Sequence, residues 1–506
     1  MKIKNPIRQE EVGALKEIII VGGGISGLTA AALLSKKGEA VTLLEGSREW
    51  GGCAGKFQRG NHLFPVGATL GMGLEEEGIH QRIFNYLQVD PPESHLLDEV
   101  MNVHLHGRKL VFHRDRDKHV ARLKNQFPRC ASDLERFYAL VYKIASRIRQ
   151  LMDPLPALPP KTPGEWAILV KSLQPGTLAL LPYINRTMGG VLASFGLHRH
   201  GDFQTFIDGQ LIDSMQTTSE ECSFLLGCLA FDMYHQGAFY VDGGLYRMAE
   251  ELARSAEMSG ALLKRGRKVE KISKEQDRWQ VEDHRGNRYE GSHIIFAAPI
   301  EALPPLLDEE SGNTIKQILN PKRNLTSWGT MTVYFVLDEA KIPDGMTLFQ
   351  QICTGNGMSE GEHLFLSLSK RGDQLRSPSG FRTLTVSTHT DLSRWDTKEK
   401  YDGYKQELHE KMLSVIEGTF SGFSESIVDQ YPGAPRAWER FTGRPDGMVG
   451  GYPQTTENAL FHSISHRTPL DGLWVCGDSV FPGAGTIGVS VSAYHVCRSI
   501  TGLKLP

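Results

Sequence analysis

The chain has 506 residues, 56 Lys and Arg against 59 Asp and Glu, a formal net charge of -3 and a hydrophobic content of 40%. This composition is typical of a globular protein with a large core, and it provides no overall positive field with which to hold nucleic acid. The seven cysteines form no CxxC pair and have no histidines at a zinc-site spacing, so we expect reduced thiols, a cytoplasmic location and no metal site.

The N-terminal residues 1–17 are polar and lack the apolar stretch of a signal peptide. Elsewhere no run reaches the roughly 20 apolar residues that span a bilayer. The longest apolar segment, 166–197, is interrupted by charged residues and prolines. The sequence therefore predicts a protein that lies on a membrane surface without crossing the membrane.

Residues 17–45 predict a strand, a glycine turn, a helix and a second strand. The first strand is the apolar run 18–21, the helix covers 28–37, and the second strand covers 40–45. This βαβ unit predicts an α/β fold that begins with a nucleotide-binding domain of the Rossmann type.

The glycines of this turn fit the motif G-x-G-x-x-G, which lets the backbone and the helix N-terminus approach a pyrophosphate. An acidic residue ends the second strand about 20 residues later, where a carboxylate accepts both ribose hydroxyls of an adenosine. Such turns also occur without a ligand, but the coincidence of strand, motif, helix and carboxylate favours a dinucleotide. The residues expected to contact it are Gly22, Gly24, Ile25, Ser26, Gly27 and Glu45.

NAD and FAD share this motif, so the following glycines are needed to choose between them. Gly51 and Gly52 come shortly after the acidic residue. In the FAD-binding family that includes amine oxidases and carotenoid desaturases, a Gly-Gly pair in this place continues the contacts to the pyrophosphate and the ribitol. A nicotinamide dehydrogenase has no need of such a pair, so the sequence favours FAD as the cofactor.

Between about residues 95 and 260 the pattern is mainly helical. A helix at 133–152 carries apolar residues at spacings of three and four, which indicates a face packed on its own domain. Prolines between 154 and 163 predict a rigid bend before the apolar segment 166–197. The phenylalanines of this region either line an elongated substrate tunnel or fill the core. They are Phe195, Phe203, Phe206, Phe224, Phe231 and Phe239.

Residues 108–124 form a local positive stretch. Together with the apolar segment 166–197, this stretch is expected either to dock on anionic lipid or to be an ordinary solvated surface. Its basic residues are Arg108, Lys109, His113, Arg114, Arg116, Lys118, His119, Arg122 and Lys124.

Strands return after residue 262. A hairpin and a buried strand are expected to lead back into the nucleotide-binding sheet, with Val269 near the adenine and Ala297 at the strand end. Later strands are expected to form a sheet on the substrate side. The predicted strands are 267–272, 279–283, 292–296, 330–337 and 381–389.

A second group of glycines lies near the C-terminus. A buried strand ends in a Gly-Asp pair, where the carboxylate is placed to hold ribitol hydroxyls. The helix that follows runs to residue 500 and directs the partial positive charge of its N-terminus at the flavin pyrimidine edge. The alternative is a glycine-rich loop that only caps a C-terminal helix. The residues expected to contact the cofactor are Gly477, Asp478, Gly485, Ile487, Gly488 and Val489.

Several stretches of the chain resemble one family of flavoproteins. They are GGGISGLTAAALL, VTLLEGSREWGGCAG, RGNHLFPVGATLGMG, YVDGGLYRMAEELA, GRPDGMVGGYPQT and LWVCGDSVFPGAGTIGVSVSAYHV. The family is that of the carotenoid desaturases and isomerases, the phytoene dehydrogenase-like flavoproteins. Within it the chain is most similar to the cyanobacterial-type carotenoid 3,4-desaturases, and next to the carotenoid cis–trans isomerases.

The resemblance implies a glutathione reductase-like FAD-binding domain with an inserted mixed sheet and a helical region that faces substrate and membrane. It adds cofactor contacts from the VGAT-like segment at Gly67, Ala68 and Thr69. The chain departs from the family at two positions. Relatives commonly have an aspartate where this chain has Pro65 and an arginine where it has Cys53, and a reactive thiol at Cys53 is a further hypothesis.

The resemblance and the predicted elements together divide the chain into five segments. They are 1–95 and 241–309 for FAD binding, 96–240 for the helical substrate and membrane region, 310–440 for the substrate-side sheet, and 441–506 for the C-terminal part of the FAD-binding domain.

The resemblance also implies an enzyme that dehydrogenates a carotenoid or a similar lipophilic polyene by hydride transfer to flavin N5, with a quinone or molecular oxygen as candidate electron acceptor. In such chemistry the protein mainly places a long apolar substrate beside the flavin, so no catalytic residue is assigned. The alternatives are a redox-neutral carotenoid isomerase that uses reduced FAD, an amine oxidase-like enzyme, and a carotenoid carrier without catalytic activity.

Overall fold

The computed structural model describes residues 16–322, 325, 328–395 and 398–506. Residues 1–15, which include most of the polar N-terminus predicted not to be a signal peptide, lie outside the described residues.

The strands are β1 Glu17–Val21, β2 Ala40–Glu45, β3 Lys56–Arg59, β4 His62–Pro65, β5 Ser94–Leu96, β6 Glu99–Leu105, β7 Arg108–His113, β8 Phe239–Val241, β9 Leu262–Arg265, β10 Val269–Glu275, β11 Arg278–Asp283, β12 Arg288–Gly291, β13 His293–Phe296, β14 Trp328–Asp338, β15 Phe349–Cys353, β16 His363–Leu368, β17 Phe381–Asp391, β18 Ile427–Gly433 and β19 Leu473–Val475.

The helices are α1 Ile25–Lys36, α2 Ile79–Leu87, α3 Arg116–Gln126, α4 Ala131–Met152, α5 Pro163–Ser172, α6 Met188–Ser194, α7 Gly201–Met215, α8 Phe224–Gln236, α9 Tyr246–Met258, α10 Glu309–Leu319, α11 Lys398–Thr419, α12 Phe423–Ser426, α13 Pro435–Thr442 and α14 Gly485–Thr501.

Five parallel strands form the nucleotide-binding sheet, in the order β19-β13-β1-β2-β9. The apolar residues of β1 and β13 are buried, as expected for parallel strands covered by helices on both faces. Helix α1 packs against α9 and α14, and its run Ala30, Ala31 and Ala32 is fully buried. The predicted strand, helix and second strand are confirmed, although α1 begins at Ile25, earlier than the predicted 28–37.

A second sheet has the strand order β18-β14-β17-β16-β15-β6-β7. Its neighbouring strands are antiparallel, except for β15 and β6, which are parallel. The inserted mixed sheet of the predicted fold is thereby confirmed. Strands β6 and β7 come from the range 96–240, where mainly helices and few strands were expected, and neither strand was predicted individually. The division of the chain into five segments stays a prediction.

The helices between β7 and β8 enclose a separate hydrophobic core. Phe203, Phe206, Phe224 and Phe231 are fully buried within it, and Phe195 packs on its edge. Phe239 is buried in the core of the nucleotide-binding domain instead. These rings therefore fill the core, which was the simpler of the two alternatives.

The remaining predicted strands are found with small shifts at their ends. The predicted hairpin is part of a three-stranded antiparallel sheet, β10-β11-β12, and β13 returns to the nucleotide-binding sheet. Among the residues that the structure describes, no helix combines the length and the apolar content needed to cross a bilayer.

Candidate functional site

The first glycine turn connects β1 to α1 at the carboxyl edge of the parallel sheet. Gly22 has a φ of 109°, a conformation that favours glycine, and a Cβ there would lie 3.0 Å from the Ala297 carbonyl oxygen. A Cβ on Gly27 would clash with the carbonyl oxygen of Gly22. These two positions therefore need glycine for packing alone, and Ala297 is brought to the turn as predicted.

Gly24 differs from its two neighbours in the motif. It is the N-cap of α1 and makes no side-chain cap hydrogen bond, and a Cβ on it would meet no protein atom within 4 Å. The first turn of α1 contains no acidic residue. Open space, amide donors and the positive end of the helix dipole together suit a phosphate group.

The second glycine pair lies directly against this turn. The amide of Gly51 donates to the Gly23 carbonyl at 2.8 Å, and Gly24 and Gly51 form a parallel bridge. A Cβ placed on Gly52 would have the Cα of Gly24 as its nearest neighbour, at 3.4 Å. The structure thus brings the predicted G-x-G-x-x-G motif and the predicted Gly-Gly pair together around one open space.

Glu45 lies at the end of β2, where the sequence predicts a ribose contact. Its carboxylate accepts hydrogen bonds from the amides of Gly23 at 2.5 Å and Ser47 at 2.6 Å. Burial raises the pKa of Glu45, and these amide hydrogen bonds offset only part of that shift. The carboxylate is therefore fixed beside the glycine turn with acceptor capacity left for hydroxyl groups.

The segment before β10 passes alongside Glu45. The amide of Arg267 donates to the Glu45 carbonyl at 2.7 Å, and that of Gly266 donates to Ser47 at 2.9 Å. Val269, two residues further on, is buried and packs in the same cluster as Val21. Its predicted position near an adenine ring is consistent with this path.

The VGAT-like segment packs against the turn that follows the Gly-Gly pair. The amide of Ala68 donates to the Cys53 carbonyl at 3.1 Å, and a Cβ on Gly67 would lie 2.7 Å from the Trp438 ring. Gly67, Ala68 and Thr69 are half-buried. Gly67 and Ala68 therefore lie beside the turn that follows Gly51 and Gly52, and the cofactor contacts of all three residues stay predictions.

The C-terminal glycines follow β19, which lies at one end of the parallel sheet, next to β13. The amide of Gly477 donates to Ser492 Oγ at 2.9 Å, and a Cβ on Gly477 would approach only Ser26 Oγ, at 3.9 Å. Helix α14 begins at Gly485, and a Cβ there would meet nothing within 4 Å. Its N-cap, Ala484, makes no side-chain cap hydrogen bond.

Three further predicted residues lie at the start of α14. A Cβ on Gly488 would clash with the Gly483 carbonyl oxygen, and the side chain of Ile487 packs against Gly73. Val489 packs on the edge of the core of the nucleotide-binding domain. The residues predicted separately from the two ends of the chain thus surround one region.

Arg444 is a residue of this site that the sequence did not reveal. It is buried and forms an ion pair with Asp478. Its Nε also lies 3.1 Å from Cys53 Sγ, the position at which the family resemblance predicts an arginine. A guanidinium group is therefore present beside Cys53, but it comes from a different segment of the chain. The only available signal was the GRPDG stretch that contains Arg444.

The basic stretch 108–124 is largely used inside the fold. Four of its cations form ion pairs, namely Arg108 with Asp202, Arg114 with Asp98, Arg116 with the buried Asp232, and Lys124 with Glu135. Both of its histidines are buried. Lys109, Lys118 and Arg122 are exposed, and docking of this stretch on anionic lipid stays a prediction.

Comparison with known proteins places this architecture. A model of the flavin containing amine oxidoreductase family matches residues 25–501. The chain belongs to this family. Among solved structures, this flavin amine oxidoreductase is similar to a putrescine oxidase (TM-score 0.65, 13% identity, covering 96% of this chain and 99% of that one). It is also similar to an oxidoreductase from Methanosarcina mazei (TM-score 0.62, 14% identity, covering 95% and 100%).

Curated relatives include carotenoid enzymes. The chloroplastic prolycopene isomerase of Arabidopsis thaliana is 25% identical over 503 residues, covering 95% of this chain and 81% of the relative. The carotenoid 3,4-desaturase of Haloarcula japonica is 20% identical over 516 residues, covering 96% and 98%. The chain is thus an FAD oxidoreductase with distant similarity to carotenoid isomerases and desaturases.

FAD fits the residues present. The open space above Gly24, Gly52 and Gly485, the two uncapped helix N-termini and the carboxylate of Glu45 match its phosphates and ribose. The family membership and this chemistry both identify FAD as the cofactor. The individual contacts remain predictions.

Proposed function

We propose that this oxidoreductase dehydrogenates a long apolar polyene of the carotenoid class, turning a C–C bond into C=C. When bound, FAD would supply the acceptor for a hydride from one carbon, while the neighbouring carbon loses a proton, and a quinone or oxygen would take the electrons from the reduced flavin. The observation that supports this proposal is similarity along nearly the whole chain to two carotenoid-acting relatives. The finer assignment to cyanobacterial-type 3,4-desaturases stays part of the proposal.

The protein's own part in this reaction is to hold the two reactants. The glycine turns of α1 and α14 would hold the pyrophosphate and the flavin end, and Glu45 the adenosine ribose. Asp478, oriented by Arg444, would hold ribitol hydroxyls. Electrostatic fixation of this kind positions the flavin so that an apolar substrate needs only to be placed against it.

A second candidate is carotenoid cis–trans isomerisation with reduced FAD. The specific observation in its favour is that several of the relatives are prolycopene isomerases. An amine oxidase-like reaction is the third candidate, because the matched family carries that description.

An anaerobic incubation separates these candidates. FAD-loaded protein is mixed with liposomes that carry a panel of acyclic carotenoids, while flavin absorbance and pigment composition are followed. Flavin bleaching with a longer conjugated product would support dehydrogenation, and reoxidation with a quinone or oxygen would then identify the acceptor. Geometric isomers formed only after reduction of the flavin would support isomerisation. No change with any carotenoid, but bleaching by amines, would overturn the proposal.

We also propose that the enzyme docks on a membrane surface through an apolar patch on α5 and the 3-10 turn that follows it. Trp166, Leu178 and Leu181 are 50%, 66% and 59% exposed, although large apolar side chains are usually buried. Other exposed apolar residues of this patch are Val170, Leu173 and Ile184. Exposed Lys171 and Arg186 flank the patch, which suits anionic lipid.

Liposome flotation tests the docking. We expect the protein to float with vesicles that contain anionic lipid, and the double variant Trp166→Glu, Leu178→Glu to lose at least about 10-fold in bound fraction, because burying each large side chain contributes roughly 1.5–3 kcal/mol. Val428→Glu is the matched control, since Val428 is 55% exposed outside the patch. Flotation of the double variant at the wild-type level would contradict the role of the patch.

A further inference from the structure

Three potential metal ligands meet between α7 and the mixed sheet. Asp213 comes from α7, His363 begins β16, and His389 lies near the end of β17. The ligand atoms of these side chains all lie within 4.8 Å of one another, and His363 Nε2 is 3.6 Å from Asp213 Oδ2. Helix α7 packs on the sheet at β15 and β6, so the cluster is held between two rigid elements.

The sheet register explains why the two histidines are neighbours. Strands β16 and β17 are antiparallel, with Phe365 opposite Ser387. His363 and His389 each lie two residues beyond this last pair, on neighbouring strands. The Trp328 ring packs edge-on against His389, with ring centroids 5.9 Å apart.

His363 is one of two histidines, with His119, in the described part of the chain whose two ring nitrogens are both buried and unpaired. Its side chain has 0% exposure, and neither ring nitrogen has a hydrogen-bond partner among the residues that the structure describes. Buried polar atoms are almost always hydrogen-bonded, because leaving one unpaired costs about 1–3 kcal/mol. The unpaired imidazole of His363, which faces a carboxylate and a second imidazole, therefore has the capacity to bind a ligand.

The carboxylate of the cluster is held in place by an amide chain. Gln351 Nε2 donates to Asp213 Oδ2 at 2.7 Å and to the Gly209 carbonyl at 3.1 Å. Gln210 donates in turn to the Gln351 side-chain oxygen. Such supporting hydrogen bonds orient ligands at metal sites.

We propose that Asp213, His363 and His389 bind a divalent metal ion of the first transition series. Two imidazoles and one carboxylate suit Fe²⁺, Co²⁺ or Zn²⁺, and a set of three protein ligands leaves coordination positions open. Asp213 is 19% exposed and His389 is half-buried, which provides a path of entry.

This site goes beyond the proposed function and does not depend on it. Its three ligands come from positions 213, 363 and 389, so no short spacing could show them, and the expectation of no metal site rested on such spacings. A second cluster, Glu93, His95 and Asp242, serves as a comparison. There the Lys370 ammonium lies 2.8 Å from His95 Nε2 and already supplies a positive charge.

Equilibrium dialysis of the FAD-loaded full chain against Co²⁺, with elemental analysis and electron paramagnetic resonance, tests the proposal. We expect one Co²⁺ per chain, competed by Zn²⁺. His363→Gln and Asp213→Asn should each weaken Co²⁺ binding by at least about 10-fold. Removal of a residue that only supports a metal ligand already costs about 10- to 100-fold in affinity, and removal of a ligand should cost no less. His95→Gln should leave the stoichiometry unchanged.

The proposal would be overturned by the absence of Co²⁺ binding to the wild-type chain, or by a loss of binding in His95→Gln as large as that in His363→Gln. Because His363 is buried, its variant is checked by circular dichroism and flavin content. His389→Gln is a further variant of the proposed site, in case His363→Gln fails to fold. Its side chain is half-buried, so it is expected to fold, and retention of full Co²⁺ binding in it would equally refute the site.

Discussion

Arg444 and Asp478 form an ion pair in which both side chains are about nine-tenths buried, with exposures of 10% and 11%. We expect Arg444→Met to lower stability by about 3–5 kcal/mol, because it leaves a buried carboxylate unpaired, and to reduce the FAD content of the purified protein. Thermal unfolding and flavin absorbance measure both effects. Arg440→Met, an exposed cation on α13, is the control, and equal losses in the two variants would refute the argument.

The affinity for FAD should depend on pH through Glu45. Since burial raises the pKa of Glu45 above its ordinary value of 4.5, the carboxylate takes up a proton at a higher pH than usual and then loses acceptor capacity. We therefore expect affinity to fall as the pH is lowered through this raised pKa. A fluorescence titration of apoprotein with FAD measures it.

Glu45→Gln is the matched variant for this titration. We expect it to bind FAD about 10-fold more weakly at neutral pH, since a hydrogen bond to a charged group contributes about 1.5–3 kcal/mol, and to show a flatter pH profile. A wild-type profile as flat as that of Glu45→Gln would contradict the ribose role.

At the residue scale, the sequence located the groups whose chemistry is local. Gly22, Gly24 and Glu45 follow from one short motif, because the turn and the following strand are contiguous. Arg444 could not be found in this way, since its partner Cys53 is distant in the chain and the contact depends on tertiary packing.

At the element scale, the N-terminus of α1 separates glycines needed for folding from glycines needed for the ligand. A Cβ on Gly24 meets no protein atom within 4 Å, and its φ of -71° suits alanine. We expect Gly24→Ala to change apoprotein stability by less than about 1 kcal/mol but to weaken FAD binding strongly, because the methyl group enters the space above the helix N-terminus. Chemical unfolding of the apoprotein and FAD titration measure the two effects.

For Gly27→Ala we expect the main effect on the stability of the apoprotein. Its Cβ would clash with the Gly22 carbonyl oxygen, so the apoprotein itself should be destabilised by about 1–3 kcal/mol. If Gly24→Ala were the less stable apoprotein of the two, the open space at Gly24 would not be a ligand site.

The elements that the sequence predicted well are those with a strong local pattern, such as β1, α1 and α14. Strand β6 was missed because most of its residues are buried, which removes the alternation that marks a half-exposed strand. Its parallel partner β15 also lies far away in the chain. Non-local pairing of this kind leaves no short-range signature.

For the whole molecule, Glu165 joins the helix that bears the apolar patch to the C-terminal part of the chain. Its carboxylate accepts hydrogen bonds from Arg467 Nε and the Lys161 amide, both at 2.7 Å, and it lies 3.4 Å from His466 Nε2. Burial alone would raise the pKa of Glu165, but these hydrogen bonds outweigh burial and hold it well below its usual range.

We expect Glu165→Gln to lower stability by about 1–2 kcal/mol at neutral pH, a value reduced because Arg467 is partly exposed. Since the pKa is lowered in the folded state, this contribution is present above about pH 4.5, the ordinary value, and is lost as the pH falls below it. Thermal unfolding of both proteins across this range measures the difference. A difference that grows towards acidic pH would contradict the assignment.

The parallel sheet places β1 in its centre, beside β13, and β13 in turn pairs with β19. These three strands come from the beginning, the middle and the end of the chain. During synthesis on the ribosome, the turn at Gly22 therefore emerges long before Gly477 and Gly485 can join it. Until the last strand is released, β13 exposes an apolar edge that can pair with other chains. We therefore expect FAD to be loaded after translation, and a chain interrupted before Leu473 to be a substrate for chaperones and proteases instead of a weaker enzyme.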